Sequence, residues 1–209
     1  MRTFPNELAI FKKLDTPQKV QDLLDTFRIN FEPNDDTCRS PLVVLERREA
    51  HCIEGALLAA AIFWFHGREP LLLDLKTAKG DFDHVVALFK EHGRWGAVSK
   101  TNHAVLRYRD PVYKDIRELA MSYFNEYFLD TGVKTLRSFS DKPFDLLKFD
   151  DAWLTSRKNL WEIHDALDSA PHTQILPRGF SPKKLRLADP IEIKAGKIVE
   201  WKRGRKGKV

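Results

Sequence analysis

Two residues in the first half of the chain, Cys52 and His84, have the types and the setting for nucleophilic chemistry. Cys52 stands at the head of HCIEGALLAAAIFWFHG. This segment has apolar residues on every side, so it predicts a central, fully packed helix rather than a surface one. A thiol in the first turn of a helix meets unpaired backbone N–H groups and the positive end of the helix dipole, and both favour its thiolate. The thiolate attacks carbonyl carbon, and the same N–H groups can stabilise the oxyanion that results. His84 opens HVVALF, which reads as a strand. If that strand folds back onto the helix, the imidazole can take the thiol proton and return it to a leaving amine. Spacing alone reads Cys52 more readily as a buried structural residue, because cysteine is among the most buried residue types.

The elements that must position this pair are marked by punctuation. Thr16-Pro17, Ser40-Pro41 and Asp110-Pro111 each join a capping side chain to a proline that sacrifices no helical hydrogen bond, so each predicts a helix start. The third helix places Ile116, Leu119, Ala120, Tyr123, Phe124 and Tyr127 on one face, suited to packing on a sheet, and Thr131-Gly132 ends it. Gly67 terminates the Cys52 helix, with His66 in its last turn. LLLDL, HVVALF, WGAVS and AVLRYR read as strands, with EHGR as a tight hairpin link. Helices, an antiparallel meander and a further helix make an α+β arrangement. Beyond it, SRKNLWEIHDALD predicts a helix, and IEIK-AG-KIVEW reads as a terminal hairpin. The division expected is a core with N-terminal helices over 1–132 and a C-terminal extension over 133–209, packed on that core.

HCIEGALLAAAIFWFHGREPLLLDL resembles the cysteine segment of the transglutaminase-like superfamily, in which a cysteine opens a buried Leu/Ala-rich helix that ends at a glycine before a strand. DHVVALFKEHGRWGAVS resembles that family's histidine strand, hairpin and tryptophan-bearing strand. The likeness covers roughly residues 40–100, about a third of the chain. It implies a papain-like, transglutaminase-like fold with the cysteine helix packed on an antiparallel sheet. It also implies acyl transfer or hydrolysis at an amide, with Cys52 as nucleophile and His84 as general base. The family's aspartate, four residues beyond the tryptophan, is here Ser99. Ser99 and Asn102 are therefore the candidates for orienting the imidazole, as asparagine does in papain-like enzymes. Both rank ahead of Asp110, whose place before Pro111 is explained as a helix cap.

The other candidates divide as follows. His51 reads as pointing off the far side of the helix start, His66 as a helix-end residue, and His103 as either cleft-lining or surface. Glu54 reads as a first-turn acid favoured by the dipole, and Cys38 as structural or surface. Cys52, Asp83, His84 and His103 include zinc-ligand types, but no Cys-x-x-Cys or His-x-x-x-His spacing supports a site, and no metal or cofactor is implied. With its aspartate replaced, the fold could instead serve as an inactive binding module. Of the net charge of +5, the stretch from Lys194 to the end carries +6, so the rest is nearly neutral. That tail suits an acidic partner, whereas no motif for specific nucleic-acid recognition accompanies it. No run reaches the roughly 20 apolar residues of a membrane span. Two cysteines and an N-terminus without a signal-like run point to the cytoplasm.

Overall fold

The computed structural model describes residues 5–32 and 34–198. A 3-10 stretch, Asn6–Lys13, leads into two short helices, α1 (Pro17–Asp25) and α2 (Pro41–Arg47). Both begin at the expected caps: Thr16 Oγ1 accepts from the Lys19 N–H and Ser40 Oγ from the Val43 N–H, each at 3.3 Å. The two-residue strands β1 (Arg28–Ile29) and β2 (Glu49–Ala50) pair in parallel, and β2 runs directly into α3 (Cys52–Phe65). Every residue of α3 from Ile53 to Phe63 is buried, as its all-round apolar pattern requires. It ends at Gly67, whose φ of +79° takes the left-handed position after the helix.

Next come β3 (Leu71–Thr77), β4 (His84–Glu91), β5 (Arg94–Val98) and β6 (Arg109–Tyr113). They are followed by α4 (Ile116–Met121), β7 (Leu136–Ser140), β8 (Phe144–Asp145), α5 (Trp161–Asp168), β9 (His172–Gln174) and α6 (Pro190–Gly196). The larger sheet has the order β6-β5-β4-β3-β7-β9, with β8 pairing the start of β3 beside β7; all of its pairings are antiparallel. The protein is therefore α+β, built on a seven-stranded sheet. Three of those strands come from beyond residue 132, inside the expected extension. The β4–β5 link is His92-Gly93, with φ of 48° and 76°, a pair of left-handed residues that matches the strand twist.

Strand alternation gives the sheet two apolar faces. Leu72, Val85, Ala87, Phe89 and Val98 pack with α3. Leu73, Leu75, Val86, Leu88 and Ala97 pack with Leu119, Ala120, Tyr123 and Tyr127. The face expected of the third helix is thus buried on the sheet, but the helix itself starts later than its sequence suggests. Asp110-Pro111 lies within β6, an edge strand where the missing proline N–H costs no central ladder bond. The cap is instead Asp115, whose Oδ1 accepts from the Glu118 N–H at 2.7 Å, and α4 stops at Met121.

The strand expected over AVLRYR begins only at Arg109, because Leu106 holds a φ of +61° that no strand accommodates. IEIK belongs to α6 rather than a hairpin. Asp189-Pro190 with Glu192 forms a capping box, which overrides the two-residue alternation. Residues 199–209, which include positions 199–201 of that expected hairpin and the basic WKRGRKGKV, lie outside the described residues. The helix expected over SRKNLWEIHDALD is confined to Trp161–Asp168.

Close packing fixes the first turn of α3. A Cβ on Gly55 would stand 2.4 Å from the Cβ of Lys100, a buried lysine whose Nζ donates to the carbonyls of Leu24 and Phe27 at 3.0 and 2.7 Å. Because the clash involves atoms next to two backbones, neither side can swing away. Gly55→Ala is expected to destabilise the fold by about 1–3 kcal/mol. The urea midpoint should fall with little change in slope.

Candidate active site

The helix start is assembled around Glu54, whose side chain is fully buried. Oε1 accepts from Thr37 Oγ1 at 2.7 Å and the Arg39 N–H at 3.1 Å; Oε2 accepts from Asn30 Nδ2 and the His51 N–H, both at 3.1 Å. Glu54 is therefore more than a favourable first-turn acid. It fastens the 30–39 loop onto the residue that precedes the helix, and so brings Thr37 and Glu32 to His51.

Cys52 is the first residue of α3 and is half-buried. The imidazoles of His84 and His51 both act on its sulfur, each drawing the thiol towards its ionised form. His84 opens β4, and its Nε2 lies 2.8 Å from Ser99 Oγ. The single hydroxyl proton of Ser99 is donated to the Leu106 carbonyl at 2.7 Å. Ser99 can therefore only accept from the imidazole, which places the His84 proton on Nε2 and leaves Nδ1 for the sulfur. Of the two candidates for orienting His84, Ser99 makes this contact; Asn102 lines the neighbouring cavity. Asp110 is exposed on β6, and Asp83 is engaged by the N–H and Oγ1 of Thr77 at 2.7 and 3.0 Å.

The sequence misplaces His51. Rather than pointing away, its Nε2 sits 2.9 Å from the Thr37 carbonyl, 3.3 Å from Glu32 Oε1 and 3.6 Å from Glu54 Oε1. A carbonyl only accepts, so Nε2 carries a proton. Residues flanking a helix N-terminus have extended backbone, and their side chains need not follow helical spacing; an extended His51 cap (φ −97°, ψ −171°) accounts for the difference.

The electrostatics follow from these contacts. Burial opposes ionisation of Cys52, but hydrogen bonds and positive charge from His51 and His84 outweigh it and draw the thiol down to about 5. Burial likewise works against a charged His51, yet its hydrogen bond to Cys52 and the negative charges of Cys52 and Glu54 raise it to about 9. Cys38 is the contrast: burial first, then the charge of Glu54, pushes that thiol up to about 12. Its backbone is tied to Asn159 and Leu160, so its role is structural.

Cys52 lies where two cavities meet. One, of about 280 Å³, is walled by Asp36, Asp74, Asp168, Trp161 and His164. The other, of about 510 Å³, is walled largely by Ile29, Phe31, Leu106 and Tyr127, with Asn102 and His103. Glu32, His51, Cys52, Phe82 and Asp83 belong to both, and the Phe82 ring is 89 % exposed at their junction. Trp161 and His164, expected only as helical positions, thus face the groove. His66 is a helix-end residue, bonded to the Phe11 carbonyl at 2.8 Å.

Among the described residues no group of three or more His, Cys, Asp or Glu side chains is arranged to hold a metal ion. Among the same residues no helix is long and apolar enough to cross a membrane. No family model matches the chain, and no curated protein sequence matches it.

The two thiols make a direct test. A thiol ionising near 5 is mostly thiolate above that pH, and one near 12 is mostly protonated throughout the neutral range. Iodoacetamide at pH 7 is expected to modify Cys52 alone. The rate should rise as pH passes through about 5 and then level off, while Cys38 stays unmodified in the folded protein, as peptide mapping would show.

Proposed function

We propose that the protein is a papain-like, transglutaminase-like cysteine enzyme that transfers or hydrolyses the acyl group of an amide. The observation that carries this reading is His84, held through Ser99 Oγ to the Leu106 carbonyl and lining one groove with Cys52 at the head of a buried helix. A structural cysteine has no need of a fixed imidazole tautomer beside it, nor of a thiol lowered to about 5.

In this reading the Cys52 thiolate attacks the amide carbonyl, and charge develops on oxygen. The Cys52 backbone N–H, in the helix turn that lacks intrahelical acceptors, donates to that oxyanion. His84, which has taken the thiol proton on Nδ1, gives it to the leaving amine, and a thioester remains on Cys52. Water then attacks with His84 as base, giving hydrolysis; an amine in its place gives transamidation. The substrate is a peptide or other amide that spans both cavities. The basic C-terminal tail is suited to an acidic partner.

An activated ester tests the chemistry without requiring the natural substrate. With p-nitrophenyl acetate the protein should release a burst of nitrophenolate and carry an acetyl group on Cys52 in intact-mass spectra. Cys52→Ala should abolish both, and His84→Ala should slow acylation by about 10²–10⁴-fold. Ser99→Ala removes one neutral hydrogen bond of about 0.5–1.5 kcal/mol, so a loss of up to roughly tenfold is expected. A wild-type protein with no burst and no acetylated Cys52 would leave the binding-module alternative in its place.

A further inference from the structure

Two imidazoles reach one sulfur, and their outer contacts differ in charge. His84 Nε2 is held by a neutral hydroxyl that passes its own proton to a carbonyl. His51 Nε2 is held by the Thr37 carbonyl, with Glu32 and Glu54 carboxylate oxygens at 3.3 and 3.6 Å. A positive charge on His51 is compensated on its outer side, whereas one on His84 has only dipoles behind it. We infer that the two rings divide the work: His51 stays protonated beside the Cys52 sulfur through the whole cycle as its standing counter-cation, and His84 alone moves the proton.

The assignment rests on the acyl-transfer reading above and extends it to a residue that reading does not need. The charged and titratable groups around His51 are few. Cys52 and Glu54 face it from α3, and Glu32 comes from the segment after β1. Arg39 stands behind Glu54, its Nε 3.6 Å from Oε1, and also pairs with Glu49 of β2. His84 also faces the sulfur, Asp83 lines both cavities, Asp36 the first and Tyr127 the second. The nearest anions besides the thiolate are thus Glu32 and Glu54, in keeping with a His51 raised to about 9.

Proton and electron counts close without a co-reactant. The thiol proton has passed to His84 Nδ1, so the sulfur lone pair forms the C–S bond and the carbonyl π pair moves to oxygen. Collapse of that pair breaks the C–N bond, with the nitrogen taking a proton from His84. In the second half His84 accepts the proton of the attacking water, and the C–S pair returns to sulfur, facing a His51 that has kept its proton.

Ionisation of Cys52, followed by thiolate absorbance and by iodoacetamide rates across pH, separates the two rings. In His84→Gln the nitrophenolate burst should slow by about 10²–10⁴-fold while the thiolate midpoint, still held by His51, stays below that of an ordinary thiol. In His51→Gln the midpoint should rise by about 1–3 pH units, and Glu32→Gln should move it the same way by less. In the wild-type protein the ring nitrogen resonances of His51 should report an imidazolium at pH 7 that titrates near 9. Should His51→Gln fail to fold, the resonances and Glu32→Gln decide.

A His51 that is neutral at pH 7, or a midpoint that moves with His84→Gln and not with His51→Gln, overturns the division and leaves the Cys52–His84 reading standing. An ordinary thiol midpoint together with no burst removes both.

Discussion

Removing a carboxylate entirely from water costs several kcal/mol even after relaxation, and Glu54 has no solvent-exposed side-chain surface at all. What makes this tolerable is that its oxygens receive four donors from Asn30, Thr37, Arg39 and His51. Each of those residues belongs to the strap that runs from β1 to α2, or to the step from β2 into α3. The carboxylate is therefore the point at which the strap closes on the helix. The Thr37 carbonyl faces His51 only because Thr37 is held there by its hydroxyl, and Glu32 is held in turn by the Thr37 N–H at 2.6 Å. One buried charge thus sets the surroundings of the imidazole next to the nucleophile.

That arrangement bears on the serine found where the resembled family carries an aspartate. A carboxylate at position 99 would support an imidazolium on His84 by charge. A hydroxyl that donates onward to Leu106 supports the tautomer and orientation of the ring and very little charge. The negative groups are instead gathered on the His51 side, as Glu32 and Glu54. Orientation and charge compensation, commonly supplied by one residue in such triads, fall here on different residues behind different rings.

The elements that bury apolar surface were the legible ones. The all-round apolar pattern of α3, the two proline-marked caps before it, and the β3–β5 meander with its two-residue turn all have local causes, and the structure places them where those causes predict. Asp110-Pro111 misled because the same dipeptide serves a helix start or an edge strand, and only the pairing of β6 with β5 decides. α6 departs from the expected strand because the Asp189 capping box starts a helix that the alternation of IEIK does not register. At the site, Cys52 and His84 are marked by residue type and setting, and Ser99 only by its place in the pattern of the resembled family. The role of His51 does not, because it depends on a strap whose closure by Glu54 leaves no periodic signal. Trp161 and His164 reach the groove through tertiary packing alone.

The placement of the thiol on α3 also separates two demands that conflict in a cleft. Displacing a reacting group by about 1 Å can cost about 10²-fold in rate, so the nucleophile must not move. Residues that admit a substrate, by contrast, must be reachable and able to yield. α3 meets the first demand: its side chains from Ile53 to Phe63 fill the core, and Gly55 lets Lys100 lock its first turn against the end of α1. The second demand falls on the loops, with Glu32 after β1 and the exposed Phe82 before β4 forming walls common to both cavities. The cost of this design is borne by the core. Charges at Glu54 and Lys100 are buried beside the reactive end, and the dense apolar packing of the rest of α3 must offset them.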